Sequence, residues 1–521
     1  MRRSHMFALP SMFVATALVL TGCSATTTGA TQSSSTPAAG GDLVLARAAD
    51  AISMNNTTTF DNNSIFIFEQ MMEPLFTVTD DGRDVKPLLA KDYTISDDNL
   101  TYTINLKDGI EFSNGTPLTA KDVKFSIDQD TKTAETGWGF VNAAINEVSV
   151  VDDATVQITV KYPWAPLIAD LSMFSNAIVP DNYGGVSAEE FYAAPIGTGP
   201  FTWGDWKKGQ YLKLLKNDNY WQDGLPYLDS LTWNVVPDAN TRKLQLQGGQ
   251  IDVMETPDWS SFDSLKSTPG VVAYEFPSTQ IDYVAFNQTR PPFDDVHVRR
   301  AIAMAIDREA LVKAVLFGHG TVANSLLSPG TPYYDANTKG PVYDMAGARS
   351  ELSKSTVPDG FETELLIRSG DANQSANAQI LQASLKEIGI TVNIKQLDPT
   401  ANKQARLAAE FDMTFSAWTM DIPDPDQWTS FAVDPDGGAN SAFTAYNNPE
   451  VIALNKAAQK EVDPAKRASL YSDLQQKTAD DAFLAYMYYS PYAFATTDKV
   501  KGFQVTPLGN YHLENVYKSI Q

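Results

Sequence analysis

The stretch Leu231–Val253, LTWNVVPDANTRKLQLQGGQIDV, sets the architecture. Leu231, Trp233 and Val235 alternate with Thr232 and Asn234, the period of two of a half-buried strand. Pro237 opens a helix to about Leu246, Gly248 and Gly249 stop it, and Ile251-Asp252-Val253 reads as a second short strand. Strand, helix and strand in that order form the unit of an open α/β sheet. The second half repeats the style. Asp295–Ile306 reads as helix, and Asp307 caps another that runs to Gly318. Strand Glu364–Arg368, helix Ala376–Glu387, strand Thr391–Leu397 and strand Phe411–Trp418 follow. Helices near 449–462 and 464–481 and an aromatic strand Phe483–Tyr492 complete the pattern.

Upstream, the character is different. Leu100, Tyr102, Ile104 and Leu106 alternate as a strand that Lys107-Asp108-Gly109 turns back into Ile110–Phe112. Thr119 with Asp122 reads as a capping box for a helix through Ile127. Val148, Val150, Val156, Ile158 and Val160 make a hairpin around Asp152-Asp153. Residues 76–196 are therefore expected to form a β-rich unit inserted into the first of two α/β lobes.

The chain of 521 residues carries 63 acidic and 39 basic side chains, a formal net charge of −24. So acidic a surface repels phosphate backbones, and no nucleic-acid partner is expected. Arg2 and Arg3 precede an apolar run, Phe7–Leu20, which is too short to cross a ~30 Å hydrocarbon core but suits a signal peptide over residues 1–22. Leu20-Thr21-Gly22-Cys23 resembles a bacterial lipobox, with Cys23, the one cysteine of the chain, as the lipidated residue. Ser24–Gly41 is small, polar and uncharged, a tether in composition. The expectation is an exported, disulfide-free monomer held to the outer face of the plasma membrane by its lipid alone.

Five blocks in order resemble one family. They are Tyr102–Val123, Gly197-Thr198-Gly199-Pro200-Phe201 with Asn219-Tyr220-Trp221, Gly249–Val253, Phe286-Asn287 with Pro292–Asp295, and Val298–Ala301 with Ala305–Arg308. Together they are similar to the large solute-binding proteins of peptide and nickel ABC importers, family 5. The resemblance implies a two-lobe (type II) periplasmic-binding fold. It places lobe 1 at 42–75, 197–285 and 497–521, the inserted subdomain at 76–196 and lobe 2 at 286–496. The hinge crossings are expected near Ile281–Gln288 and Tyr492–Lys499. A guest held between the lobes converts binding free energy into closure, which permease subunits of an importer can read.

The resemblance also implies a site. In dipeptide- and oligopeptide-binding members an aspartate after a Trp-x-x pattern pairs with the ligand's α-ammonium, and here the pattern is Trp418-Thr419-Met420-Asp421. Arg368 falls where dipeptide-binding members place an arginine for the ligand's carboxylate, a task that suits a bidentate guanidinium. Trp418 is a candidate wall for a guest side chain. Each residue has a plainer alternative: Asp421 as a cap on the turn Ile422–Pro425, Arg368 as a surface side chain, Trp418 as core. The expected guest is a short peptide, with a metal chelate or sugar, or a sensory role without a transporter, as alternatives. No catalytic activity, cofactor or direct metal site is expected. Asp421, Asp424 and Asp426 cluster, but there is no G-x-S-x-G, H-E-x-x-H or Walker A motif, and His297 and His319 have no second pair at metal-ligand spacing.

Overall fold

The computed structural model describes residues 37, 39–134, 136–437 and 440–519, so the signal segment, Cys23 and most of the tether lie outside the described residues. Asp42–Arg47 runs parallel to both Ser230–Val235 and Val253–Glu255, as expected for a strand–helix–strand unit, with the helix over Ala239–Gln247. This is the middle of a seven-stranded sheet. In spatial order its strands are Val271–Phe276, Tyr492–Thr497, Val253–Glu255, Asp42–Arg47, Ser230–Val235, Tyr211–Lys216 and Phe201–Lys207. A second, six-stranded sheet has the order Thr321–Val322, Leu484–Tyr489, Ile281–Phe286, Met413–Trp418, Phe361–Arg368 and Ile390–Leu397. Ala90–Ile95, Thr101–Leu106, Thr155–Val160 and Ile145–Asp152 make a separate four-stranded antiparallel sheet with its own apolar core around Ile104, Phe112, Val123 and Ile158. The architecture is thus two α/β lobes with an additional β sheet.

Local chemistry sets the helix ends. Asp371 accepts the Gln374 backbone N–H at 2.9 Å and starts Ala372–Lys386, while Asn448 and Asp463 cap two helices that begin at Pro449 and Pro464. Asp122 takes the Thr119 backbone N–H at 2.7 Å, the reciprocal half of the expected capping box.

Three expectations need correction. Ile281–Phe286 is the buried third strand of the second sheet, and Tyr492–Thr497 is hydrogen-bonded within the first. The chain therefore changes sheet at 277–280 and 490–491, a few residues before each expected crossing. For the same reason Phe483–Tyr492 is not one strand. It breaks at Ser490-Pro491, where Pro491 has no N–H to give to a ladder. Ile110–Phe112 is no strand either. Only an isolated bridge joins Glu111 to Pro117, because Thr101–Leu106 already has Ala90–Ile95 on one side and Thr155–Val160 on the other.

Two family-like blocks have a structural cause. An added Cβ at Gly197 would lie 2.0 Å from the Met71 carbonyl oxygen, and one at Gly199 2.7 Å from the Met71 carbonyl carbon, so the backbones touch only through glycine. That approach lets Thr198 Oγ1 donate to Glu73 Oε2 at 2.8 Å. Trp221 Nε1 donates to the same oxygen at 2.9 Å and Tyr220 Oη to Glu73 Oε1 at 3.0 Å. The three donors satisfy a carboxyl that burial nevertheless pushes up to about 7.

Candidate functional site

Met413–Trp418 pairs antiparallel with Ile281–Phe286, with Trp418 opposite Ile281. The strand therefore ends where the chain has just crossed between the sheets. Beyond it, the Met420 backbone N–H donates to Thr279 Oγ1 at 3.0 Å, and the Thr279 N–H donates to the Pro507 carbonyl at 2.7 Å. One short segment thus ties the residue before Asp421 to the hinge and to the C-terminal part of the first lobe.

Asp421 is held from its own lobe. Its backbone N–H donates to Gln427 Oε1 at 2.8 Å, and Gln427 Nε2 donates to its carboxylate. It does not cap the turn: Asp424 accepts the Asp426 N–H at 2.9 Å and takes Arg467 on both oxygens. Burial pushes the Asp421 carboxyl up to about 7, with the Gln427 bond acting in the opposite sense. Among the described residues no lysine, arginine or histidine lies within ion-pair distance of it. It is an anchored, half-buried carboxyl with no counter-charge among the described residues.

Trp418 stacks on Trp428, with centroids 4.9 Å apart and planes at 14°, and meets Phe431 at 4.4 Å. Phe431 in turn reaches Phe140, in the segment that adjoins the four-stranded sheet, at 6.4 Å. Trp418 thus packs against the second-lobe core and belongs to an aromatic run that reaches the other lobe.

Arg368 ends strand Phe361–Arg368, is half exposed, and donates to Asp371 Oδ2 at 2.8 Å. Its guanidinium is engaged, so a ligand carboxylate would have to share or displace Asp371. Sequence reasoning missed Arg406, on helix Pro399–Leu407. Its guanidinium sits over the Phe443 ring at 4.9 Å, and its Nε is closed to solvent without a partner. Burial is the first cause that lowers its pKa, with the Arg368 charge acting the same way. Among the described residues it makes no ion pair. An isolated arginine on a surface helix carries no sequence signal; only the fold shows it as a shielded cation beside Arg368.

A second lobe-to-lobe contact is polar. The Ala165 N–H donates to the Gln459 carbonyl at 2.9 Å. There Asp170, 2% exposed, faces Asp424 and Asp426 of the second lobe, 5% and 7% exposed. Burial, then the Asp426 and Asp424 charges, raise Asp170 well above the usual carboxylate range, and Arg467 is the neighbouring cation. His297 and His319 are engaged elsewhere. His297 Nδ1 lies 2.8 Å from Glu351, while His319 stacks on Trp259 at 4.7 Å with its Nδ1 2.9 Å from Glu275.

Two α/β lobes joined by two short crossings, with a carboxyl lacking a counter-cation beside the junction, have the architecture of a two-lobe binding protein. The chain belongs to the bacterial extracellular solute-binding proteins, family 5, whose middle region matches residues 84–440. It is 31% identical over 449 residues to the glutathione-binding protein GsiB of Salmonella typhi, covering 83% of this chain and 86% of that one. It is 29% identical over 490 residues to the dipeptide-binding protein of Escherichia coli K12, covering 88% and 90%. Among solved structures, the periplasmic binding protein DppA from Helicobacter pylori, in complex with the peptide STSA, superposes with a TM-score of 0.85 at 27% identity, over 93% of this chain and 99% of that one.

Proposed function

We propose that this chain captures short peptides outside the membrane by closing its two lobes on them, and hands them to the permease of an ABC importer. The observation that carries the reading is Asp421: a carboxyl beside the hinge, desolvated and without a counter-cation, suited to a peptide's free α-ammonium. Arg368 and Arg406 offer the opposite charge on the same lobe, so the pair of ends matches a zwitterion of limited length. The similarity to proteins named for glutathione, dipeptide and a bound tetrapeptide supports the same class of guest. The polypeptide performs no chemistry in this reading; it supplies affinity and a closed state.

We further propose that residues 1–22 are removed on export and that Cys23 becomes the acylated N-terminus, with Ser24–Gly41 as the tether. Native mass spectrometry of the gently purified protein tests the guest: co-purified masses in the di- to tetrapeptide range support the proposal. A co-purified chelate or sugar, released without any peptide, contradicts it.

A further inference from the structure

The helix Asp426–Val433 carries both the residue that holds Asp421 and residues that meet the other lobe. Gln427 and Phe431 are four apart and so share one face. Gln427 grips the Asp421 backbone N–H at 2.8 Å and also the Asp421 carboxylate. Among the described residues it is the one side-chain partner of that carboxylate. Phe431 meets the ring of Phe140, in the first-lobe segment Gly139–Asn142, with centroids 6.4 Å apart. Asp426 and Ser430, likewise four apart, form a second face of the same helix. Gln459 Nε2 donates to Asp426 Oδ1 and to Ser430 Oγ, both at 2.9 Å. The Gln459 carbonyl, in turn, accepts the N–H of Ala165 in the first lobe at 2.9 Å. Two lobe-to-lobe contacts, one aromatic and one polar, thus end on this helix, the first directly and the second through Gln459.

A helix moves as a stiff body, so a push on one turn reaches the next. Phe431 and Gln427 are one turn apart, and Trp428 between them stacks on Trp418 at 4.9 Å and donates to the Leu326 carbonyl at 3.0 Å. We propose that helix Asp426–Val433 couples lobe closure to the ammonium receptor, with Phe140 and Gln459 as positioning residues. Closure seats Phe140 on Phe431 and Ala165 on Gln459. Those two contacts settle the helix, and with it the grip of Gln427 on the Asp421 carboxylate. The coupling is reciprocal, as any equilibrium coupling must be: an ammonium that fixes Asp421 also fixes the face that receives the first lobe. Binding free energy then goes to the closed state. The inference rests on the peptide reading for the identity of the guest, while the contacts of the helix do not.

Calorimetry of trialanine binding to the wild type, Phe140→Ala, Gln427→Ala and the double variant reads the coupling as a thermodynamic cycle. Phe140→Ala weakens binding about tenfold in the wild-type background, and about twofold or less once Gln427→Ala has cut the link to Asp421. A Phe140 that merely helps the lobes to close costs the same factor in both backgrounds, and equal factors overturn the proposal. Gln459→Leu keeps the backbone carbonyl that meets Ala165 and loses the bonds to Asp426 and Ser430. It follows the same pattern with the first-lobe rings intact, and equal factors there overturn the proposal too. Hydrogen exchange of the protein with no guest added reads the helix independently of the peptide. Phe140→Ala and Gln459→Leu both quicken exchange of the Asp421 backbone N–H, which is bonded to Gln427, and leave the helix Ala372–Lys386 of the same lobe unchanged. Exchange at Asp421 that stays at the wild-type rate, or quickens no more than in Ala372–Lys386, overturns the proposal. Quickened exchange at Asp421 in a protein that binds no trialanine supports the coupling and counts against the peptide reading alone.

Discussion

Gln427 holds Asp421 at both ends, its carbonyl oxygen accepting the Asp421 backbone N–H at 2.8 Å and its amide nitrogen donating to the Asp421 carboxylate. The bond fixes the carboxyl's direction from within the second lobe, before any guest arrives. Preorganisation of this kind lowers the cost of binding. Asp421→Asn keeps the size and loses the charge, and should weaken affinity for free-amine peptides by ~2–5 kcal/mol, the usual cost of leaving a charged partner unpaired. Gln427→Ala should cost less, since the carboxylate remains. Calorimetry that finds D421N unchanged removes Asp421 from the site.

The two arginines separate in a peptide comparison. Arg368 is already paired with Asp371, whereas Arg406 has no anionic partner among the described residues. Arg406→Ala should therefore cost free-acid peptides more than C-terminally amidated ones, by at least tenfold in relative affinity. Arg368→Ala should show the same preference more weakly. Equal losses for both peptide forms in R406A reject a carboxylate role for that residue.

Buried carboxyls set a pH dependence of stability. Asp130 is fully buried, accepts from Asn142 Nδ2 at 2.9 Å and Ser175 Oγ at 3.2 Å, and leaves Oδ1 without a partner. Burial raises it from 3.8 to about 7, and Glu73 likewise from 4.5 to about 7. A folded-state value above the unfolded one means a contribution fully present below the unfolded value and lost as pH rises through the folded one. Melting temperature should therefore fall between pH 4 and pH 7, and Asp130→Asn should flatten part of that slope. A wild-type melting temperature that rises steadily over this interval contradicts the assignment.

Arg467 pairs with Asp424 on both oxygens, with both side chains under a tenth exposed. Arg467→Met leaves Asp424, Asp426 and Asp170 close together with no cation among them, and should destabilise the protein by ~3–5 kcal/mol. Chemical denaturation checks this. A change under about 1 kcal/mol would contradict this role for Arg467.

Much of this was legible in the sequence where local rules act. The strand–helix–strand at 231–253, the capping box at Thr119 and the long helices from Pro449 and Pro464 follow from period, caps and proline position. The family-like blocks pointed to two lobes. What stayed hidden depends on residues distant in the chain. Hinge positions are set by which sheet takes Ile281–Phe286 and Tyr492–Thr497, and residue pattern alone does not say which sheet that is. Arg406 looks like any solvated helix arginine until Phe443 covers it.

The most direct test of a ligand-closed clamp gripping an ammonium is small-angle scattering during titration with two tripeptides, one with a free N-terminus and one N-acetylated. The free-amine peptide should shrink the radius of gyration in step with the calorimetric saturation, and the acetylated peptide should change neither. Saturable binding of both peptides with equal affinity, or binding with no change in radius, would contradict the account.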